Sequence, residues 1–587
     1  MTLLSRRLTV STLAVTLVLA GCASRPGLAP EGSPAEPARI AVNQLGFLPA
    51  SAKWAVVTGG VGDRFEVRRA DNGAVVHQGR LGPAAEWAPA EQTGRLADFS
   101  ALQTPGEYRL QVEGGEPSVP FAISPTAYAA LNAATLKAYY YNRSGIALLP
   151  EHAGAWARPA GHPDTVVKVH ASAASPSRPE GTLISSPKGW YDAGDYNKYI
   201  VNSGISVYTL LAAYEHFPAW FTAQRLNIPE SGNALPDVLD EALWNLDWML
   251  SMQDPDDGGI YHKLTDLRFD GTRMPHEAKD DRYVVQKSTA ATLDFAAVMA
   301  MASRVYQPFE AQRPGLSARM LAAAQRAWQW AQAHQNEIYR QPADVVTGEY
   351  GDGGVADEFA WAAAELYIST RDDDYWRALH ADRLTIVVPG WGDVKGLAWV
   401  SLAQHRQQLT PAADQALITA RINSLATELA ATWKASSYRL SMQRADYVWG
   451  SNAVALNQAL MLVQGYRLSG QRDQLDAAQS VLDYVLGRNP LGLSMVTGFG
   501  ARSPLHPHHR PSGADGVDAP VPGFIVAGPN PGQQDLVHCN AVYPSKAPAR
   551  SYVDAYCSYA SNEVAINWNA PLVYLSAAMQ ALTGTAR

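Results

Sequence analysis

The chain has 587 residues, 47% apolar and 17% charged, so it can bury a large core and is too long for one small domain. Its net charge of -8 comes with no basic tract, which argues against nucleic acid as a partner. Tryptophan (16) and tyrosine (26) outnumber phenylalanine (12), an excess that suits either a sugar-stacking surface or ordinary core packing.

Arg6 and Arg7 precede an apolar run, residues 8–20, that is too short to span a bilayer and has the shape of a signal-peptide core. It ends in Leu19-Ala20-Gly21-Cys22, which looks like a bacterial lipobox. In that reading residues 1–21 are a signal peptide and Cys22 carries the lipid; ordinary cleavage nearby is the alternative. Ala23 after the cysteine, in place of Asp, resembles the pattern that sends lipoproteins to the outer membrane of a Gram-negative bacterium, on either face. Residues 22–37 are rich in Pro, Ala, Gly and Ser and read as a flexible tether. No other stretch is apolar enough to cross a membrane. Cys539 and Cys557 are then left, expected as a disulfide outside the cytoplasm, with a pair of buried thiols as the alternative.

Residues 38–124 alternate in short runs, among them Trp54-Ala55-Val56-Val57, Phe65-Glu66-Val67 and Tyr108-Arg109-Leu110-Gln111-Val112. Turn signals such as Asp71-Asn72-Gly73 separate them, which predicts a small β-sandwich. From residue 125 to 587 the period becomes helical. Leu235, Val238, Leu239, Ala242, Leu246 and Leu250 share one face, and similar segments recur near 204–216, 288–306, 316–337, 355–369, 412–432, 451–468, 472–486 and 563–582. Roughly ten to twelve helices with long polar loops fit an α-helical barrel, whose end loops would form a substrate groove.

Cleaving a glycosidic bond takes two carboxyl groups, one to protonate the leaving oxygen and one to activate water or attack. Gly189-Trp190-Tyr191-Asp192-Ala193-Gly194-Asp195-Tyr196 holds two aspartates on a turn tight enough for both to reach one water, although a helix cap or cation loop has the same look. Glu563, after Ser561-Asn562, stands where a last apolar helix opens, a place that capping and dipole energy alone can explain. Pro507-His508-His509-Arg510 lies in a Gly- and Pro-rich loop. Those histidines suit sugar hydroxyls as well as a metal, since no Cys or carboxylate stands beside them at ligand spacing.

Together these segments resemble glycoside hydrolase family 9, in the cellulase/endoglucanase branch with an N-terminal immunoglobulin-like domain. The likeness covers nearly all of the mature chain. It rests on Ser494-Met495-Val496-Thr497-Gly498-Phe499-Gly500-Ala501-Arg502 followed by Pro507-His508-His509-Arg510, and on Tyr552-Val553-Asp554, Tyr559, Glu563-Val564-Ala565 and Asn569-Ala570. Gly487-Arg488-Asn489-Pro490-Leu491-Gly492, Tyr447-Val448-Trp449-Gly450 and the early Ile40-Ala41-Val42-Asn43-Gln44-Leu45-Gly46-Phe47 also look like family segments. The resemblance implies a mostly α protein, an (α/α)6 barrel preceded by an immunoglobulin-like β-sandwich, and inverting hydrolysis. By position, Asp195 is the general base and Glu563 the general acid, with Asp192 helping to hold the water and Asp554 positioning the site. His508 and Arg510 would bind sugar hydroxyls, with Tyr191, Trp568 and Trp449 lining substrate. A base suits a polar, hydrated loop, and an acid needs a raised pKa, from burial or from a neighbour such as Asp554. Inversion predicts the two carboxyls about 6.5–9.5 Å apart.

No cofactor is required for this chemistry. Relatives often carry calcium, and Asp357, Glu358 and Asp393 are hard oxygen ligands where one such structural site would be; an acid-dressed helix N-terminus is the alternative. Branch members also hold zinc through Cys and His early in the barrel, but Ser144 and Gly161 stand where cysteines would be, with only His162 left, which argues against zinc. The expected substrates are cellulose-like or mixed-linkage β-1,4-glucans and their oligosaccharides, cut by a monomer that meets membrane only through its lipid. An exo-acting glycosidase or glucosaminidase on cello- or chitosan oligosaccharides, and a non-catalytic glycan-binding lipoprotein, are the alternatives.

Overall fold

The computed structural model describes residues 38–60 and 62–583; the expected signal peptide, Cys22 and the tether lie outside them. Sandwich and helical region fall within one compact unit.

The sandwich has two sheets. One runs β1 (Arg39–Ala41), β3 (Trp54–Thr58), β7 (Gln92–Asp98), β6 (Ala85–Trp87); the other runs β2 (Gly46–Phe47), β9 (Phe121–Ile123), β8 (Gly106–Val112), β4 (Arg64–Arg69), β5 (Val75–Arg80). Alternation decides the faces. Phe65 and Val67 on β4 and Tyr108, Leu110 and Val112 on β8 point inward onto Ala55 and Val57 of β3. Phe47 meets Phe99 and Phe121 edge-on, at centroid distances of 5.3 and 5.6 Å. β7 carries no apolar alternation, Gln92-Thr93-Gly94-Arg95-Leu96-Ala97-Asp98, yet it pairs with β3 on one side and β6 on the other. Its place is set by backbone pairing, which the side-chain pattern does not advertise.

Beyond the sandwich, helices form two layers. Ile200–His216, Thr289–Tyr306, Ala356–Thr370, Lys395–His405, Ser451–Ser469 and Ile566–Thr583 are buried around most of their circumference and make the inner layer. Ile566–Thr583 packs against both Ile200–His216 and Ser451–Ser469, which brings the end of the chain back to its beginning. The outer helices, such as Leu316–Ala333 and Gln415–Ala435, bury one face and leave charged residues outside. Helices Ala129–Tyr141 and Lys395–His405 went unmarked by periodicity because apolar residues lie on all their sides. Much of the aromatic excess is core: Trp190, Trp248, Trp361 and Trp399 are fully buried. A small sheet, β11 (Leu183–Ile184), β10 (Val167–Val169), β14 (Tyr283–Val284), β13 (Lys263–Thr265) and β12 (Lys198–Tyr199), ties the loops at one end of the barrel.

The sandwich is bolted to the barrel by buried contacts. Trp87 stacks on Tyr438 at 4.4 Å, and Trp54 packs on Trp433 at 5.7 Å. Asn43 Nδ2 donates to the buried Asp483 Oδ1 at 2.9 Å, while its Oδ1 accepts from the Leu45 and Gly46 amides. Asn43→Ala removes one donor from a buried carboxylate, so it is expected to lower unfolding stability by about 1–3 kcal/mol in urea titrations. An unchanged midpoint would mean that this joint carries no load.

Candidate active site

The turn at residues 192–195 is held from several sides at once. Asp192 is 1% exposed; its Oδ1 accepts from Asn202 Nδ2 at 2.6 Å and its Oδ2 from the Tyr350 hydroxyl at 2.8 Å. Burial, and then the charge of Asp195, push its carboxyl up to about 8. Asp195 Oδ2 accepts from both the backbone and the side-chain amide of Asn197. Asn197 is itself fixed, because its Oδ1 accepts from Thr265 Oγ1 (2.8 Å) and the Asp266 amide (3.0 Å). The expectation of a hydrated loop is corrected here, since Asp195 is only 6% exposed and its partners are fixed amides.

Glu563 is also placed differently from the sequence expectation. It follows a short turn of helix, Tyr559–Asn562, in extended conformation (φ -73°, ψ 157°), and the long helix begins only at Ile566. It therefore sits on an extended bridge between two helices, and the capping explanation for it falls away. There it pairs with His508 in a backbone bridge, and its carbonyl accepts from the Ala527 amide at 2.8 Å. Its side-chain Oε1 accepts from the Gly194 amide at 3.3 Å. Burial pushes the Glu563 carboxyl well above its usual range, the Asp195 charge adds to this, and Arg510 opposes it. Asp554 is not among the charges that raise Glu563. Its oxygens accept from the Leu505 and His506 amides (2.8 and 2.9 Å) and from Asn562 Nδ2 (3.0 Å), so it ties the histidine loop to the residue before Glu563.

His508 Nδ1 donates to the Tyr556 carbonyl at 2.7 Å, which leaves Nε2 as an acceptor, and burial lowers its pKa. His509 turns away to Ser512, 2.8 Å from Nδ1, and packs on Phe524, so the two histidines do not converge on a metal. Arg510 gives Nη1 to the Gly194 carbonyl (2.8 Å) and Nε to the Asp270 carbonyl (2.9 Å), so part of its donor set braces protein. Trp449 is 42% exposed beside Tyr559, at 5.3 Å, and His508 stands between Tyr559 (6.1 Å) and Tyr556 (5.3 Å), a run of rings next to Glu563. Trp568 is 9% exposed and backs Gly450. Tyr191 is not on the substrate side: it is 1% exposed, with its hydroxyl 2.9 Å from His162 Nδ1. Cys539 and Cys557 are joined by a disulfide, Cα atoms 5.2 Å apart, which closes the loop leading to Tyr559.

Sequence reasoning missed Asn197, Asn202, Tyr350 and Lys263. Lys263 is buried, with its ammonium on Gln341, Thr347 and the Gly348 carbonyl; burial lowers it to about 7 while the charges of Asp195 and Glu349 oppose that. Only Asn197, two residues from Asp195, carried a signal in the sequence.

Glu358, 1% exposed, has both carboxylate oxygens buried without hydrogen bonds, and so has Asp294 beside it. Such orphaned oxygens fit a hard cation. Asp357 Oδ2 accepts from the Val394 amide at 2.8 Å, and Asp393 pairs with Lys395 at 2.8 Å and would have to leave it to join a ligand set. The thiolates of a Cys/His zinc site are absent: the Ser144 hydroxyl donates to the His162 carbonyl at 2.9 Å, and Gly161 has no side chain.

Residues 128–576 match the family profile "Glycosyl hydrolase family 9", and residues 35–117 match "Cellulase N-terminal ig-like domain". The chain is 46% identical over 562 residues to the xyloglucan-specific endo-beta-1,4-glucanase BoGH9A of Bacteroides ovatus, covering 92% of this chain and 94% of that protein. It is 32% identical to endoglucanase D of Acetivibrio thermocellus, covering 91% and 82%. Among solved structures, Bacteroides ovatus GH9 superposes with a TM-score of 0.87 at 43% identity, over 93% of this chain and 99% of that one.

The raised Glu563 carboxyl has a consequence for stability. Unfolded, the group ionises near its ordinary 4.5; folded, it keeps its proton to higher pH, so the folded state is penalised progressively as pH rises above about 4.5. Glu563→Gln removes that penalty. Its unfolding midpoint is expected to match the wild type near pH 4 and to exceed it increasingly toward pH 7; a gap that does not change with pH would contradict the assignment.

Proposed function

The chain belongs to glycosyl hydrolase family 9, and from that premise we propose that it cuts internal β-1,4-glucosidic bonds of soluble β-glucans with inversion, using Asp195 and Glu563. Glu563 delivers its proton to the glycosidic oxygen as the C1–O bond breaks. Asp195 takes a proton from the water that attacks C1 from the opposite face, and the product sugar leaves as the α-anomer. The observation that carries this reading is the Gly194 amide on Glu563, one residue from Asp195, which binds acid and base to a single turn. The environments differ as the roles require: burial and the Asp195 charge raise Glu563, whereas Asp195 accepts from both N–H groups of Asn197. Asp192, locked by Asn202 and Tyr350, orients the water beside Asp195. His508 Nε2 and the remaining Arg510 protons meet sugar hydroxyls, and the Trp449–Tyr559 pair offers a stacking face. Asp554 is a positioning residue for both the histidine loop and Glu563.

Xyloglucan is a candidate substrate beside linear and mixed-linkage glucans, on the strength of the Bacteroides ovatus relative. We further propose export by the N-terminal signal and lipid attachment at Cys22 to an outer membrane, supported by the Leu19-Ala20-Gly21-Cys22 sequence. Calcium bound through Asp357 and Glu358, with Asp393 turned in from Lys395, would supply structural charge compensation above Asp294 and no part of the reaction.

Two measurements test these readings. NMR of cellohexaose and xyloglucan-oligosaccharide hydrolysis is expected to show the α-anomer first, with Glu563→Gln and Asp195→Asn each reducing kcat by about 10²–10⁴-fold. A first-formed β-anomer, or near-wild-type rates in either variant, would remove the assignment. Withdrawing calcium with EGTA from a level of about 100 times its Kd should lower stability by about 2.7 kcal/mol in the wild type and leave Glu358→Gln unaffected. An EGTA response equal in both proteins would place calcium elsewhere.

A further inference from the structure

Away from the hydrolytic carboxyls, His162, Asp266 and Asp270 form a buried cluster. One ring nitrogen and one oxygen from each carboxylate all lie within 4.8 Å of one another. Asp266 is 2% exposed, and His162 and Asp270 are 7% exposed. Oδ1 of Asp266 and Oδ1 of Asp270 are both buried without a hydrogen-bond partner. None of the neighbouring cations hydrogen-bonds Asp266 Oδ1 or Asp270 Oδ1. Arg282 spreads over Asp164 and Asp266 Oδ2, at 3.3 Å each, and Lys198 lies 2.7 Å from Asp164. Arg273 comes no closer than 4.0 Å to Asp270.

The histidine ring completes the case. The Tyr191 hydroxyl lies 2.9 Å from His162 Nδ1 and 3.3 Å from the Gly161 carbonyl. When the phenolic proton goes to the carbonyl, which can only accept, Nδ1–H donates to the phenol oxygen. That tautomer leaves a lone pair on Nε2. A lone pair and two carboxylate oxygens gathered in a buried space repel one another unless positive charge lies between them. It is also the state of a ligating histidine, whose second nitrogen is engaged by a hydrogen bond.

We propose that His162 Nε2, Asp266 Oδ1 and Asp270 Oδ1 bind a divalent transition-metal ion of the zinc kind. One imidazole and two carboxylates suit such an ion, with water as a fourth ligand. The site differs from a Cys/His zinc centre at positions 144 and 161. Any side chain at 161 would start 2.5 Å from the Pro275 backbone, so a cysteine does not fit there in this structure. The ion would act on the hydrolytic turn through others: the Asp266 amide holds Asn197, which holds Asp195, and the Asp270 carbonyl holds Arg510. Its three ligands are positioning residues, and the ion takes no part in bond cleavage.

The test uses the full chain, stripped of metal with a chelator and then titrated with Zn²⁺ by calorimetry with calcium present. The wild type is expected to bind one zinc per chain and to unfold at a higher temperature with it. Asp270→Asn and His162→Gln should weaken zinc binding about 100-fold, while Glu358→Gln, at the separate acidic cluster, should bind as the wild type does. Melting curves without zinc show whether each variant is folded. Should a variant not fold, cobalt(II) added to the wild type decides: the intense visible bands of a low-coordinate nitrogen and oxygen site support the proposal, and the weak spectrum of the hydrated ion overturns it. Absence of stoichiometric zinc, or equal affinity in Asp270→Asn, overturns it as well and leaves the two aspartates sharing a proton.

Discussion

Gly194 is the residue on which the site depends. Its amide donates to Glu563 and its carbonyl accepts both the Arg510 amide (3.0 Å) and Arg510 Nη1. A Cβ at this position would lie 2.3 Å from the His508 carbonyl oxygen, a separation that no side chain tolerates. Glycine is required there by the close approach of another chain segment. Three stretches far apart in sequence, 192–197, 506–510 and 552–563, converge at this peptide, so its geometry sets the positions of Asp195, His508, Arg510 and Glu563 relative to one another.

The surroundings then divide the labour between carboxyls that are chemically alike. Asp192 and Glu563 are raised mainly by burial, with the Asp195 charge adding to both, while Asp195 is met by amide donors. Tyr350, which holds Asp192, has φ +46°, a left-handed conformation that a non-glycine residue adopts only when its neighbours enforce it. The strain lies beside the Asp192 carboxyl, which the Tyr350 hydroxyl holds in place.

Buried charge elsewhere in the barrel serves structure in the same way. Arg143 with Glu241, and Arg304 with Glu215 and Glu365, are compensated pairs inside the helical layers. Asp294 and Glu358 have no cationic partner among the described residues, and Asp266 shares Arg282 with Asp164 while its Oδ1 and that of Asp270 go without a hydrogen bond. Carboxylate oxygens without a hydrogen bond in both clusters are the observation on which the two proposed cation sites rest. The two clusters are separate, one between helices Thr289–Tyr306 and Ala356–Thr370 and one behind the turn that carries Asp195.

Sequence alone determined the order of sandwich and helical domain, the class of fold, the family and the class of enzyme, because periodicity and short motifs are local properties that survive without coordinates. Asp195, Glu563 and His508 could be picked out since each stands in a run whose spacing is itself informative. Tertiary structure decided what surrounds them. It placed Glu563 on an extended bridge where the sequence suggested a helical cap, turned Tyr191 inward to His162, and gave Asp554 the amides of Leu505 and His506 as partners. It also brought in Tyr350, Asn202 and Lys263, whose sequence neighbourhoods say nothing of an active site. The reason is physical: burial, hydrogen-bond partners and like-charge proximity arise only when segments hundreds of residues apart pack together, and no window of sequence contains both sides of such a contact.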